Sequence, residues 1–266
     1  FLASPGNNLI VADYGQLELR LLASMTNCKS MIEAFDAGGD FHSRTALGMF
    51  DYIQEKVDNG DCLLEWDYSK GDPPKPMLKD LYASERRKAK TLNFSIAYGK
   101  TAHGLSKDWG VSTKEADEML EAWYNSRPEV REWQQKTKEI AKKHGITRTL
   151  MGRYRQLPGA MSDQRGLVGH AERASINTPI QGGAADVAMM AMIKINNSET
   201  LKNLGWVLLM QIHDEVILEG PTETAEEAFD EVIHCMMEPW VHGLRKTSVP
   251  LLVDGSWHHN NWYDAK

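Results

Sequence analysis

The apolar residues of this chain fall into two rhythms. Leu9-Ile10-Val11-Ala12 is a continuous apolar run and predicts a buried strand. It ends at Asp13, and Leu17, Leu21, Leu22 and Met25 then recur at helical spacing. Asp13 is therefore expected at a strand end where the chain turns into a helix. From Trp206 to Glu219, apolar runs flank His213-Asp214-Glu215, which predicts a buried hairpin with two carboxylates at its tip. Pro250-Leu251-Leu252-Val253-Asp254 predicts a closing strand.

The helical rhythm is clearest from Glu85 to Gly99, one helix closed by a glycine. Arg86, Lys90, Phe94 and Tyr98 recur at every fourth position and form a slowly drifting stripe, roughly 18 Å long at ~1.5 Å rise per residue. Ala89, Leu92 and Ile96 lie on another face and predict a core seam. Ser112 to Ala141 predicts amphipathic helices, the second started by Pro128. Arg148 to Pro158 predicts a hairpin with a basic turn. In the next helix Arg173, Asn177 and Gln181 again share fourth-residue spacing, and Pro179 must kink or start a helix there. Gly38-Gly39-Asp40-Phe41-His42 is a turn leading into another helix, where His42 alone reads as a surface or capping residue. Residues 51–82 break the rhythm with Asn59-Gly60 and Gly71-Asp72-Pro73-Pro74, and predict a surface insertion with a short strand at Cys62–Trp66.

Mixed strands and helices give an α+β fold. At 266 residues the chain can bury one large core or two intertwined ones. No apolar run is long enough to span a bilayer, so no membrane partner is expected. Three separated cysteines argue against a disulfide scaffold and suit a reducing compartment. The net charge of −7 argues against nucleic acid, but its distribution changes that picture. Between Arg127 and Arg173, eleven Lys/Arg stand against five Asp/Glu, a local +6 able to track a phosphate backbone. The acidic stretch Glu223–Glu238 reads as a solvated helix face.

The stripe orders its chemistry: two cations, then two rings. Glu85 can reach Lys88, but Arg86 and Lys90 have no carboxylate at helical spacing. Cations near a helix N-terminus are disfavoured unless an anion arrives. A triphosphate on Arg86 and Lys90, with a base stacked further along, fits that order. Asp13 alone also reads as a helix cap. With Asp214 at a second strand end, however, the two carboxylates converge if the strands are neighbours. Such a pair can hold two divalent ions for in-line phosphoryl displacement.

Asp13-Tyr14-Gly15-Gln16-Leu17-Glu18-Leu19-Arg20, the Arg86/Lys90/Phe94/Tyr98/Gly99 helix and His213-Asp214-Glu215 together resemble motifs A, B and C of family A DNA polymerases. Gly15 departs from the usual Ser. The resemblance spans nearly the whole chain, and its wording is most similar to plant and algal organellar polymerases. It implies a palm whose antiparallel sheet carries the catalytic aspartates, with mostly helical fingers. Residues 1–40 and 171–266 would be palm, including the helix 173–186 and the hairpin 206–219. Residues 41–170 would be fingers, with the helix 85–99 and the insertion at about 51–82. The thumb would precede Phe1, so the isolated chain is expected to be poorly active. The resemblance implies that Asp13 and Asp214, assisted by Tyr14 and with Glu215 adjacent, hold two Mg²⁺, with Mn²⁺ as an alternative. Arg86, Lys90 and His42 would meet the dNTP triphosphate, and Lys90 would act in catalysis. Phe94, Tyr98, Gln16 and Glu18 would surround the nucleotide, Glu18 as the gate against a 2′-hydroxyl. Arg173, Asn177, Gln181 and His213 would contact primer–template DNA. The implied partners are DNA and dNTPs, the expected assembly a monomer, and the implied location an organelle. A single-subunit RNA polymerase is the nearest rival, opposed by Glu18. A noncatalytic nucleic-acid-binding module is the other, opposed by the intact Asp13/Asp214 pair.

Overall fold

The computed structural model describes residues 1–241 and 247–265. The chain forms two compact units. The first contains residues 1–21, 148–153 and 179–266; the second contains 22–147 and 154–178. These bounds differ from the 40/41 and 170/171 divisions expected from sequence. One reason is that Phe35 stacks on Phe41, ring centroids 4.4 Å apart, which ties residues before 40 to the helix after it. Another is that the helix expected over 173–186 is a single helix, Arg165–Asn197.

Six strands occur among the described residues: β1 (Asn7–Tyr14), β2 (Ile146–Arg148), β3 (Tyr154–Gln156), β4 (Val207–Ile212), β5 (Glu215–Pro221) and β6 (Val253–His259). Strands β2 and β3 make the small basic hairpin. The first unit is built on an antiparallel sheet of order β4-β5-β1-β6. Strand β1 is central and covered on both faces, which is why it reads as an unbroken apolar run. Leu9 and Val11 pack with Ile217, Met210 and Trp262. Alternation leaves Ile10 and Ala12 for the opposite face. The helix Ala225–Met237 packs against β1 and β6, and the Tyr14 hydroxyl donates to Met236 O at 2.7 Å.

Two strand expectations are corrected. The hairpin is not buried on both arms: β4 is the sheet edge, with Val207 61% and Leu209 48% exposed, while β5 is buried. The last strand is Val253–His259, not 250–254. Its polar, His-rich wording hides it from an apolarity search.

The second unit is helical. The stripe helix runs Ala83–Ala97, and Gly99 follows at φ +65°, the left-handed conformation that favours glycine. A Cβ at Gly99 would lie 3.6 Å from Arg173 Cα, so motif B ends against the helix Arg165–Asn197. The helices Thr113–Asn125 and Pro128–His144 match the expected pair, with Pro128 at the first turn. Pro179 lies inside the long helix without ending it. Proline has no N–H for the carbonyl four residues earlier. That carbonyl, Ser175 O, accepts instead from Thr147 Oγ1 at 2.9 Å.

The 51–82 stretch is not simply a surface insertion. It holds the helix Asp51–Asp58, and Ile53 and Leu78 are fully buried in a cluster with Ala46 and Ala89. Cys62 and Met77 are also buried. In place of a strand at Cys62–Trp66 there is a single parallel bridge, Leu63 to Met77. Among the described residues no helix is long and apolar enough to cross a membrane.

Candidate functional site

In the first unit, the sheet brings the acidic residues of both motifs to one end. Asp13 lies directly opposite Glu215 in the β1–β5 register. Asp214 occupies the two-residue turn between β4 and β5, where His213 takes φ +57°. Tyr14 N donates to Asp214 O at 3.2 Å, which fastens that turn to the end of β1. Asp13 is exposed at the end of an otherwise buried run, and Asp214 is half-buried. A carboxylate that interrupts a buried strand to face solvent is placed for an external partner.

The bend after β1 is held by a residue whose role the sequence did not signal. Arg20 is 6% exposed and donates from Nε to Gly15 O at 2.7 Å and from Nη1 to Pro250 O at 2.8 Å. Burial lowers its pKa, opposed by nearby Asp254. Gly15 N in turn donates to Leu252 O at 2.9 Å. Gln16 adopts φ +57°, and its buried Oε1 has no hydrogen-bond partner among the described residues. Glu18 is half-buried in the first turn of the helix Leu17–Thr26. Burial pushes the Tyr14 phenol well above its ordinary pKa, so that side chain is a structural donor.

Glu215 differs from its neighbours. It is 4% exposed, and its Oε1 accepts from Trp262 Nε1 at 3.0 Å. That partner gives one of its two carboxylate oxygens a structural task. Among the described residues no group of three or more His, Cys, Asp or Glu converges as a metal cluster. The oxygen donors of Asp13, Asp214 and the Tyr14 carbonyl nevertheless fit Mg²⁺. That ion uses one or two carboxylates and fills its remaining positions with water and substrate phosphates. Gln181 and His213 are exposed.

In the second unit the stripe carries a clamp. Lys90 is exposed and makes no hydrogen bond or ion pair among the described residues. Arg86 does have a carboxylate, though not at helical spacing. Asp40, 46 residues away, accepts from Arg86 Nε, and from Nη2 at 3.2 Å. Asp40 also caps the helix Phe41–Met49, accepting from His42 N at 3.2 Å and Ser43 Oγ at 2.5 Å. Arg86 and Ser43 outweigh burial and hold its pKa below the ordinary carboxylate value. The Asp-x-x-Ser pattern around this cap was the signal available in the sequence.

His42 is buried rather than at the surface, 4% exposed, with its ring 5.8 Å from that of Phe94. Burial pushes its pKa down to about 4, aided by Arg86 and Lys90 and opposed by Asp40. The ring is thus neutral at pH 7, and its tautomer follows from its neighbours. Trp123 Nε1 can only donate, and the Asn93 atom 2.7 Å from it is therefore the amide oxygen. The atom facing His42 Nδ1 at 3.1 Å is then the Asn93 NH₂. His42 Nδ1 accepts, which leaves the ring proton on Nε2 as a donor. Asn93, fully buried, stands out in the sequence only as a polar residue beside a core seam.

Phe94 is half-buried and Tyr98 lies at the helix C-terminus, 36% exposed. Arg173 is exposed, and Asn177 is half-buried with an Oδ1 that has no hydrogen-bond partner among the described residues.

Comparison with known proteins supplies context for both sites. A family model described as DNA polymerase family A matches residues 1–61 and 74–264. DNA polymerase I A, chloroplastic/mitochondrial, of Arabidopsis thaliana is 59% identical over 268 residues, covering 100% of this chain and 25% of that protein. DNA polymerase I, thermostable, of Thermus aquaticus is 34% identical over 266 residues, covering 100% of this chain and 28% of that protein. The chain thus spans about a quarter of the length of these curated relatives. Among solved structures, the POL domain of Pol1 from M. smegmatis, in complex with DNA primer-template and dNTP, superposes with a TM-score of 0.80. The identity is 30%, and the match covers 96% of this chain and 40% of that one.

Proposed function

The chain belongs to DNA polymerase family A, and on that premise we propose that it carries template-directed DNA synthesis. It would add deoxynucleoside triphosphates to a primer 3′ end by phosphoryl transfer and release pyrophosphate. The observation that most supports this reading is the meeting of motifs A and C at one sheet end, with Asp13 exposed and Asp214 in the adjoining turn.

Asp13, Asp214 and the Tyr14 carbonyl would hold two Mg²⁺. Bound there, they would supply Lewis-acid stabilisation of the charge that develops in the displacement. Lys90 and Arg86 bind the triphosphate, and Lys90 offsets the charge that builds up on it. His42 donates from neutral Nε2 to a phosphate oxygen, adding a hydrogen bond without a third cation. Phe94 lies beside the sugar, Tyr98 guards the insertion site and Gln16 borders the nucleotide. Glu18 excludes a 2′-hydroxyl by bulk and charge. Arg173, Asn177, Gln181 and His213 bind the primer–template strands, as neutral and cationic donors suit phosphate and base edges. Relatives named chloroplastic and mitochondrial support organellar DNA maintenance as the setting.

The test is primer extension by a polymerase of the family's full length carrying this region, with dNTPs and rNTPs compared. Asp13→Asn and Asp214→Asn should each abolish dNTP addition while keeping the thermal unfolding curve of the parent. Near-normal extension by either variant would overturn the assignment.

A further inference from the structure

The family match breaks off between residues 61 and 74, and the unmatched stretch contains Glu65. We propose that Glu65 is a positioning residue for the triphosphate clamp: it braces the Gly38-Gly39-Asp40 turn, and Asp40 in turn fixes Arg86 and His42. This rests on the reading of Arg86 and His42 as triphosphate ligands.

The brace begins from an anchored strand of chain. Leu63 N donates to Pro76 O at 2.9 Å, and Leu78 N donates to Leu63 O at 2.8 Å. Cys62 and Leu78 are buried at the base of this closure. Trp66 Nε1 donates to Gly71 O at 2.8 Å and closes the loop above it. Glu65 sits between these two fixed points.

Glu65 meets the turn in two ways. Its Oε1 accepts from Arg44 Nη2, and Arg44 Nε donates to Gly38 O at 3.1 Å. Gly39 has φ +75°, and a Cβ there would overlap the Glu65 carboxylate. The turn is thus pressed on one side and tied on the other. The next residue, Asp40, caps the helix that bears His42 and holds two nitrogens of Arg86. A cavity of about 510 Å³, lined in part by Gly39, Asp40, Glu65 and Trp66, adjoins the turn. Without the Glu65 side chain the turn has empty space to move into.

An arginine side chain has many rotamers, and ordering it before substrate arrives removes that cost from binding. Glu65 does this without changing the charge of the clamp, since its own ionic partner is Arg44. The effect should therefore appear in nucleotide binding more than in turnover.

The experiment measures dNTP KM, kcat and primer–template affinity in the full-length polymerase. Glu65→Ala and Glu65→Gln should raise KM for dNTP roughly fivefold or more, with kcat changed by less than about twofold, a loss of ground-state binding. Primer–template affinity should not move. On an Asp40→Asn background, Glu65→Ala should add less than about twofold, because residues acting through one contact chain are not additive. Parent-like KM in both Glu65 variants, or a fully additive effect on the Asp40→Asn background, would overturn the proposal. Glu65→Gln keeps the volume of the side chain and carries the test if Glu65→Ala unfolds. Calorimetric titration of the same proteins with inorganic tripolyphosphate separates the two readings. A parent that extends primers and binds tripolyphosphate no better than its Glu65 variants refutes the brace alone. A parent that neither extends nor binds tripolyphosphate refutes the clamp, and the brace with it.

Discussion

Replacing Asn93 by Leu removes both polar ends of one buried side chain while keeping its branched shape and heavy-atom count. Asn93 is fully buried, as is Trp123. Leucine leaves Trp123 Nε1 without its acceptor at 2.7 Å and His42 Nδ1 without its donor at 3.1 Å. Thr45 is spared, because its hydroxyl still donates to Phe41 O at 3.0 Å and accepts from Arg127 Nη2 at 3.3 Å. Two buried groups are orphaned at ~1–3 kcal/mol each, a destabilisation of about 4 kcal/mol. At ~2–4 °C per kcal/mol for a chain of this size, Tm should fall by ~8–16 °C. Thermal unfolding followed by calorimetry measures it. Asn93→Asp supplies a second arm. It keeps an oxygen for Trp123 but turns a second oxygen toward His42 Nδ1, which must then carry a proton. Nitrogen NMR of the imidazole should show the proton at Nδ1 in that variant and at Nε2 in the parent. A Tm drop below about 2 °C for Asn93→Leu, or the same tautomer in both proteins, would refute the network.

Lys90→Ala should lower the single-turnover rate by ~10²–10³, or ~2.7–4 kcal/mol, the scale of other preorganised donors; a rate within threefold of the parent would remove Lys90 from the transition state. The depressed pKa of His42 makes the folded chain bind fewer protons than the unfolded one between about pH 4 and 6.5. Stability should therefore fall as pH drops through that window, and urea midpoints at pH 7 and 5 should differ less in His42→Phe than in the parent. If Phe94 faces the sugar as proposed, Phe94→Tyr would place a hydroxyl there and should reduce discrimination against dideoxynucleotides by roughly tenfold to a hundredfold, ~1.4 kcal/mol per factor of ten. An unchanged ddNTP/dNTP efficiency ratio would show that Phe94 does not face the 3′ position.

Local pattern made much of this legible. The run before Asp13 and the fourth-residue stripe each belong to one element, and each element formed where its period placed it. Features that depend on distant partners stayed hidden. Arg86 looked uncompensated because Asp40 is 46 residues away. Turn residues made 51–82 look like a surface appendage, but Ile53 and Leu78 fill the core under the stripe helix. The apolar β4 run suggested burial on both faces, yet β4 is an edge strand and its alternate side chains, Val207 and Leu209 among them, stay exposed on one face. The proline rule pointed to a kink or a helix start at Pro179; the helix instead begins well before it and runs on past it, and Thr147 satisfies the carbonyl that the missing N–H strands.

The β1–β5 register also bears on how such a chain can vary. A strand has only two faces, so inserting or deleting one residue between Asn7 and Tyr14 would send every later side chain to the wrong one. Leu9 and Val11 would exchange places with Ile10 and Ala12, and Asp13 would leave the side it shares with Glu215. Substitutions here can be graded in effect, whereas a change of length must be absorbed in a bulge, such as the register shift already present between β1 and β6 at Leu9/Val11, or it reverses the faces. The stretch between 61 and 74 has a single bridge and no ladder, so residues can be added there without shifting any register. Descent with altered length is thus channelled away from the carboxylates and into the loop that bears Glu65.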